Sequence, residues 1–260
     1  MSDFKVLWLN KYLTSKPHII FDIGSYDAAD SIRIKKNFPE ADIYAFEASP
    51  RNYEEKVAIN AGKFKIQHYN IALSDRNETI DFFDSHGAST ASGSILSPAC
   101  SISTCHPGLY FNNAIKVQSI TIDDFCAQNA IRIIDLIHMD VQGAEHLVLS
   151  GISNVHVRMI FLEVCEGDKY EGGFSREQLN NVLTNKGYVL VNRLLYDDLY
   201  LHEKEYEAYL QKRLRQYFYR CIEALHDIFS SIRRFLLKST LFSMLSQNRV
   251  IRRLLKRNIY

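Results

Sequence analysis

The sequence has no GxGxxG fingerprint, no repeated CxxC unit and no apolar run approaching the roughly 18 residues of a membrane-spanning helix. Each absence excludes something. Without the glycine triplet a pyrophosphate has no cradle at the end of a first strand, so a nicotinamide-dependent reductase is disfavoured. Five cysteines, an odd number, suggest no disulfide framework. Cys100-x4-Cys105-His106 lacks a second ligand cluster at zinc spacing, so no metal site is assigned. The first ten residues lack the basic-then-apolar layout of a secretory signal, and a reducing, cytoplasmic setting is expected. Net charge is scarce too: 31 Lys and Arg face 30 Asp and Glu, which argues against a uniformly basic nucleic-acid binder.

The charge that is present is uneven. Residues 203–260 hold 13 basic and 5 acidic side chains, so the body before them is acidic. With 260 residues, 47% of them hydrophobic, the chain can build one α/β domain with an appendage. The expected division is a catalytic-type domain over 1–202 and a basic, amphipathic helical tail over 203–260.

Along the body, short β-branched runs alternate with helical patterns. Strands are expected over 18–23, 42–47, 64–73, 79–83, 115–120, 133–139 and 157–164, with a closing hairpin over 188–194 and 196–201. Helices are expected over 4–12, 28–37 and 50–61, after Thr121, and over 144–149 and 175–186; Ser49-Pro50 is a strong helix start. Central strands that are apolar throughout imply a parallel sheet covered on both faces. Residues 84–113 are small and polar, a long segment suited to a substrate lid or a plain loop.

Parallel sheets bind ligands outside the carboxyl ends of their strands. The polar residues expected there are Asp22, Glu47, Ser74-Asp75, Asp140 and Glu163. Asp22-Ile23-Gly24-Ser25 would turn the first strand into a helix, and an acid there repels phosphate but attracts an ammonium or sulfonium. Glu47 is placed to accept hydrogen bonds from both hydroxyls of a ribose. In DLIHMDVQGAEHLVLSG, from Asp135 to Gly151, alternation puts His138 and Asp140 on one side of their strand. Asp140 with Glu145 suits a metal, a sulfonium or an oriented hydroxyl, whereas Glu145 alone also suits a helix dipole. His138, deeper in the strand, reads as a satisfied core histidine or a partner of Asp140.

FDIGSYDAADS, YAFEASPRNYEE, NIALSD, the Asp135–Gly151 segment and MIFLEV, in this order and spacing, resemble the FkbM-type class I methyltransferases. The resemblance spans about residues 19–191. It implies a Rossmann-like, seven-stranded, mostly parallel α/β sheet with the last strand antiparallel. It implies S-adenosylmethionine as cofactor, with Asp22, Gly24 and Ser25 at its methionine part and Glu47 at its ribose. Ala48 and the turn through Ser74 and Asp75 would flank the adenine. The implied reaction is methyl transfer to a hydroxyl of a sugar, glycan intermediate or similar polyhydroxylated acceptor. Asp140 is the first choice to position or deprotonate that hydroxyl, with His138 and Glu163 behind it; participation of a divalent ion is left open. Three departures stand out. Ala28 replaces a usual glycine, and the usual KxDVEGAE reads HMDVQGAE, giving His138 and Gln142. They raise an alternative: a catalytically impaired scaffold of the same fold at a membrane surface. Residues 228–257, cationic and amphipathic, suit an anionic membrane surface, which would place a cytoplasmic enzyme at the inner face of a membrane.

Overall fold

The structure, a computed structural model, describes residues 4–164 and 169–238. Seven strands make the central sheet: β1 (Ile19–Ile23), β2 (Asp42–Phe46), β3 (Gln67–Tyr69), β4 (Leu136–Met139), β5 (Met159–Glu163), β6 (Tyr188–Arg193) and β7 (Asp197–His202). Their order is β6-β7-β5-β4-β1-β2-β3. β7 runs antiparallel to β5 and β6, and the other pairings are parallel. This is the α/β arrangement that the resemblance implies.

Alternation along the strands feeds two cores. Phe21, Ile23, Ile137, Met139 and Ile160 point to one face, covered by α4 (Ile122–Gln128), α5 (Glu145–Ser150) and α6 (Arg176–Asn185). Ile20, Ala45, Leu136 and Phe161 point to the other. That face is covered by α1 (Leu7–Tyr12), α2 (Ala29–Asn37) and α3, residues 50–62 with a π-helical turn at Tyr53–Val57. The caps are those the sequence announces. Ser49 accepts from the Asn52 N–H with Pro50 in the first turn, Thr121 accepts from the Asp124 N–H, and Ser175 with Gln178 forms a capping box.

Three expected strands are broken, the third being 157–164, which parts at Arg158 between Val157 and Met159. Of residues 64–73, only Gln67–Tyr69 joins the central sheet, while Ala72–Leu73 pairs with Ile115–Ile120 in a separate three-stranded sheet. Residues 133–139 break at Asp135, because its carboxylate accepts the His18 and Ile19 N–H groups and an Arg158 bond at 2.6 Å. Arg158 in turn grips Glu205, at 2.8 and 2.9 Å. The small-polar segment is ordered: Ser85–Gly87 pairs antiparallel with Leu109–Phe111, and Ser101–Cys105 is a short helix.

A long helix, α7, spans Glu203–Lys238. Contacts divide the chain slightly later, into residues 1–209 and Leu210–Tyr260. The first two turns of α7 therefore pack with the sheet domain, where Tyr209 meets Tyr12. Residues 239–257 of the cationic segment lie outside the described residues.

Candidate active site

The strand order reverses between β1 and β4, and a cleft opens there at the carboxyl ends of the strands. Of the expected site residues, Gly24, Glu47, Ala48 and Asp140 border it. Asp22, Ser25, Ser74, Asp75, His138 and Glu163 do not.

Glu47 follows β2 directly. Its two carboxylate oxygens accept the backbone N–H groups of Tyr26 and Ser49, each at 2.8 Å. The Gly24 and Ser25 N–H groups both bond to the Phe46 carbonyl, so the turn after β1 is stapled to the end of β2. Gly24 is required by its neighbour: at φ +80°, a Cβ would stand 1.8 Å from the Asp140 carbonyl oxygen. Burial, opposed by these N–H bonds, pushes the Glu47 carboxyl up to about 7, with Asp84 and Asp140 adding to the rise.

Asp22 corrects the expectation that it lines the methionine end. Its carboxylate is buried on the opposite side of β1, where it accepts the Ser31 N–H and hydroxyl at the start of α2. It also bonds His138 Nδ1 at 2.8 Å. Asp22 thus complements the N-terminus of α2 and the His138 ring, rather than a ligand. His138 stacks on Phe161 and meets the edge of Phe4, as a core histidine does. Burial alone would lower its pKa, but Asp22, Asp30 and Asp140 outweigh it and the net direction is upward. His138 is therefore a buried hydrogen-bond partner of Asp22. Ala28 has its own account. It sits at φ +60°, where glycine is the easy choice, and its methyl is fully buried.

Asp140 stands at the mouth of β4. Gln142, in the following turn at φ +53°, donates from Nε2 to Asp140 Oδ1 (2.6 Å) and to Glu163 Oε2 (2.7 Å). A carboxylate at position 142 could donate to neither. Burial first, then the nearby Asp140 charge and a hydrogen bond shared with it, hold the Glu163 carboxyl well above the usual range. Glu145 turns back onto its own helix start, accepting the Gly143 N–H at 3.1 Å, and burial raises it to about 7. Ser74 bonds Asp75 outside the cleft, and the preceding Ala72 and Leu73 border it instead.

The small-polar segment covers this cleft with Ala91, Gly93, Ser94 and Ile95. It is sewn down on both sides. Thr90 is bonded by Tyr26, Asn52 and Lys56, and Tyr170 Oη donates to the Ser92 carbonyl and to Gln142. Arg51 and Ser49 hold Asp84 at its entrance. Sequence reasoning missed Tyr26, Asn52, Gln142 and Tyr170 as site residues. For Tyr26 and Asn52 the signal was available, since both lie inside motifs carrying Gly24 and Glu47; Tyr170 has none. Among the described residues, no group of three or more His, Cys, Asp and Glu side chains is placed to hold a metal ion.

Comparison with known proteins identifies the family. The family model described as "Methyltransferase FkbM domain" matches residues 22–190. The chain is 36% identical over 169 residues to the 2-O-methyltransferase NoeI of Sinorhizobium fredii (strain NBRC 101917 / NGR234), covering 62% of this chain and 69% of that protein. Solved structures with a looser likeness include a precorrin-6y C5,15-methyltransferase from Geobacter metallireducens GS-15. It has 13% identity and a TM-score of 0.38, with 74% of this chain and 85% of that one covered. TrmK of M. capricolum with S-adenosyl-homocysteine has 13% identity and a TM-score of 0.37, with 98% of each covered. Topology shows the fold and the matched span shows the lineage: this chain belongs to the FkbM methyltransferase family.

Proposed function

We propose that the chain transfers a methyl group from S-adenosylmethionine to a hydroxyl of a saccharide or glycan acceptor, and that Asp140 holds and deprotonates that hydroxyl. The observation that carries the reading is Glu47. It is buried at the cleft with a backbone N–H on each oxygen, and each oxygen keeps a further lone pair for an adjacent hydroxyl of a ribose. The apolar wall of Ile71, Leu73 and Ile95 suits a flat base, and the acids around Asp140 suit a cationic group. The residues present therefore fit the cofactor.

When bound, S-adenosylmethionine supplies a methyl group on a sulfonium, open to in-line attack by oxygen. The rest is done by this chain. Asp140 faces the cleft and accepts the hydroxyl proton as the oxygen becomes a nucleophile. Gln142 fixes the Asp140 carboxylate by one oxygen and holds Glu163 beside it, so the two acids act as a pair at the cleft edge. The covering segment excludes water from the reacting centre. Hydroxyl oxygen as the acceptor is supported by the 2-O-methyltransferase relative. A saccharide is the acceptor that the family resemblance implies, and of the cover residues bordering the cleft Ser94 carries a hydroxyl. The three departures each have a structural account, so no observation favours the scaffold reading.

The test is a radiolabelled-methyl transfer screen against glycan fractions, with the parent and Asp140→Asn. Label should enter a glycan hydroxyl, and the variant should lose about 10²–10⁴ in rate. A variant near the parent rate removes Asp140 from the chemistry. Labelling confined to acceptors other than glycans removes the saccharide.

A further inference from the structure

Within Leu210–Lys238, α7 carries a row of large apolar side chains in the open. Leu214 is 68% exposed, Phe218 66%, Phe229 69% and Phe235 72%. At 100° per residue, Leu210, Leu214, Tyr217, Phe218, Ile222, Leu225, Ile228, Phe229, Ile232 and Phe235 fall within about 140° of arc. The charged residues occupy the rest of the circumference.

The period of this stripe identifies what it fits. Leu210 recurs as Ile228, Leu214 as Ile232 and Tyr217 as Phe235, each eighteen positions on, which is five turns at 3.6 residues. A stripe of that period runs straight along the helix and lies on a flat surface. A coiled-coil partner needs a 3.5-residue period and a narrow seam. A 3.5-residue seam of Phe218, Ile222, Leu225, Phe229 and Ile232 runs inside the stripe, but Leu210, Leu214, Tyr217, Ile228 and Phe235 lie beside it, so the apolar face is wider than one such seam. Charge points the same way. Residues 210–238 contain seven Lys and Arg against Glu223 and Asp227, so a second copy would be repelled. Arg215 and Arg233, also eighteen apart, both border the apolar arc, where long basic side chains reach lipid phosphates while the apolar face sinks. Among the described residues, no helix is long and apolar enough to cross a membrane.

We propose that this face of α7 docks the protein on the surface of an anionic lipid bilayer, lying parallel to it. The partner is the bilayer itself, recognised by apolar insertion and by attraction to its negative headgroups.

The test is flotation of the full-length chain with vesicles of phosphatidylcholine plus phosphatidylglycerol, and with phosphatidylcholine alone. It needs neither cofactor nor acceptor, so it stands apart from the proposed reaction. The chain should float with the mixed vesicles at low salt and be released by high salt. Arg215→Gln with Arg233→Gln should weaken partitioning about thirtyfold, at about fivefold per basic residue. Phe218→Ser with Phe229→Ser should abolish flotation and leave the thermal midpoint unchanged. Equal binding to neutral vesicles, no binding to anionic ones at low salt, or a dimer that the Phe variant dissociates without any lipid binding would each overturn the proposal.

Discussion

Replacing Glu47 with Gln isolates the contact on which the cofactor assignment rests. The side chain keeps its shape but exchanges one acceptor oxygen for a donor. Whichever way the amide turns, its NH2 meets a backbone N–H, that of Tyr26 or that of Ser49, now 2.8 Å from a carboxylate oxygen. A buried N–H left without an acceptor costs about 1–3 kcal/mol of stability. At about 2–4 °C per kcal/mol for a domain of this size, the thermal midpoint should fall by roughly 2–12 °C. Ligand affinity falls separately. One hydroxyl loses its bond to a charged acceptor, about 1.5–3 kcal/mol, which is about a 10- to 150-fold weaker Kd for S-adenosylhomocysteine by calorimetry. The pH dependence gives an independent check. With the Glu47 carboxyl at about 7, binding to its ionised form should tighten about tenfold from pH 6 to pH 8 in the parent and stay flat in the variant. A Kd within threefold of the parent, with only the midpoint lowered, would refute the reasoning. Glu47 would then be a clamp on the turn after β1 and nothing more.

Gln142→Glu should cut turnover more than cofactor affinity, because it removes both donors and places a third carboxylate against Asp140 and Glu163. The acid limb of its pH–rate profile should move up by about one unit, and an unmoved limb would deny Gln142 a positioning role. Stability should fall as pH rises from about 4.5 to 7. In the native state Glu47 and Glu145 keep protons until about 7, whereas the unfolded chain releases them near 4.5. His138 works in the same direction, since its raised pKa adds stability that is lost as pH climbs through it. Calorimetric midpoints across this range check the sign, and Glu145→Gln, which retains the acceptor for Gly143, should flatten part of the slope. Arg158→Ala should cost about 3–5 kcal/mol in chemical denaturation by leaving the buried Asp135 and the half-buried Glu205 without their guanidinium. A loss below about 1 kcal/mol would mean that water replaces the guanidinium.

The order of strands, the helix caps and the acids at the strand ends were legible because each depends on local sequence: an apolar run, a capping hydroxyl, a polar residue where the run stops. The breaks at Asn70-Ile71 and Asp135 were not. Asp135 leaves the sheet to accept the His18 and Ile19 N–H groups and Arg158, partners far away in sequence, and no local pattern announces such an exchange. The same limit hid the cover. Residues 84–113 read as a loop because their order comes from Tyr26, Asn52, Lys56 and Tyr170.

The misplacing of Asp22 has a different cause. Counting to the end of a strand locates a residue along its axis, but the face it points to is fixed by register with the neighbours. In parallel strands, paired residues point the same way. Asp22 pairs with Ala45 and His138, and His138 with Phe161. Ala45 and Phe161 belong to the core under α1, α2 and α3, so Asp22 and His138 must point there as well. One step along, Ile23 and Met139 face the opposite core. The cleft is then left to the residues just past the strands, where alternation gives way to the turns: Gly24, Glu47 and Asp140. An acid inside such a strand is structural and needs a buried hydrogen-bond partner, which His138 supplies. An acid one residue beyond it is free to meet a ligand. Had register been combined with strand order, the sequence would have separated Asp22 from Glu47 without any coordinates.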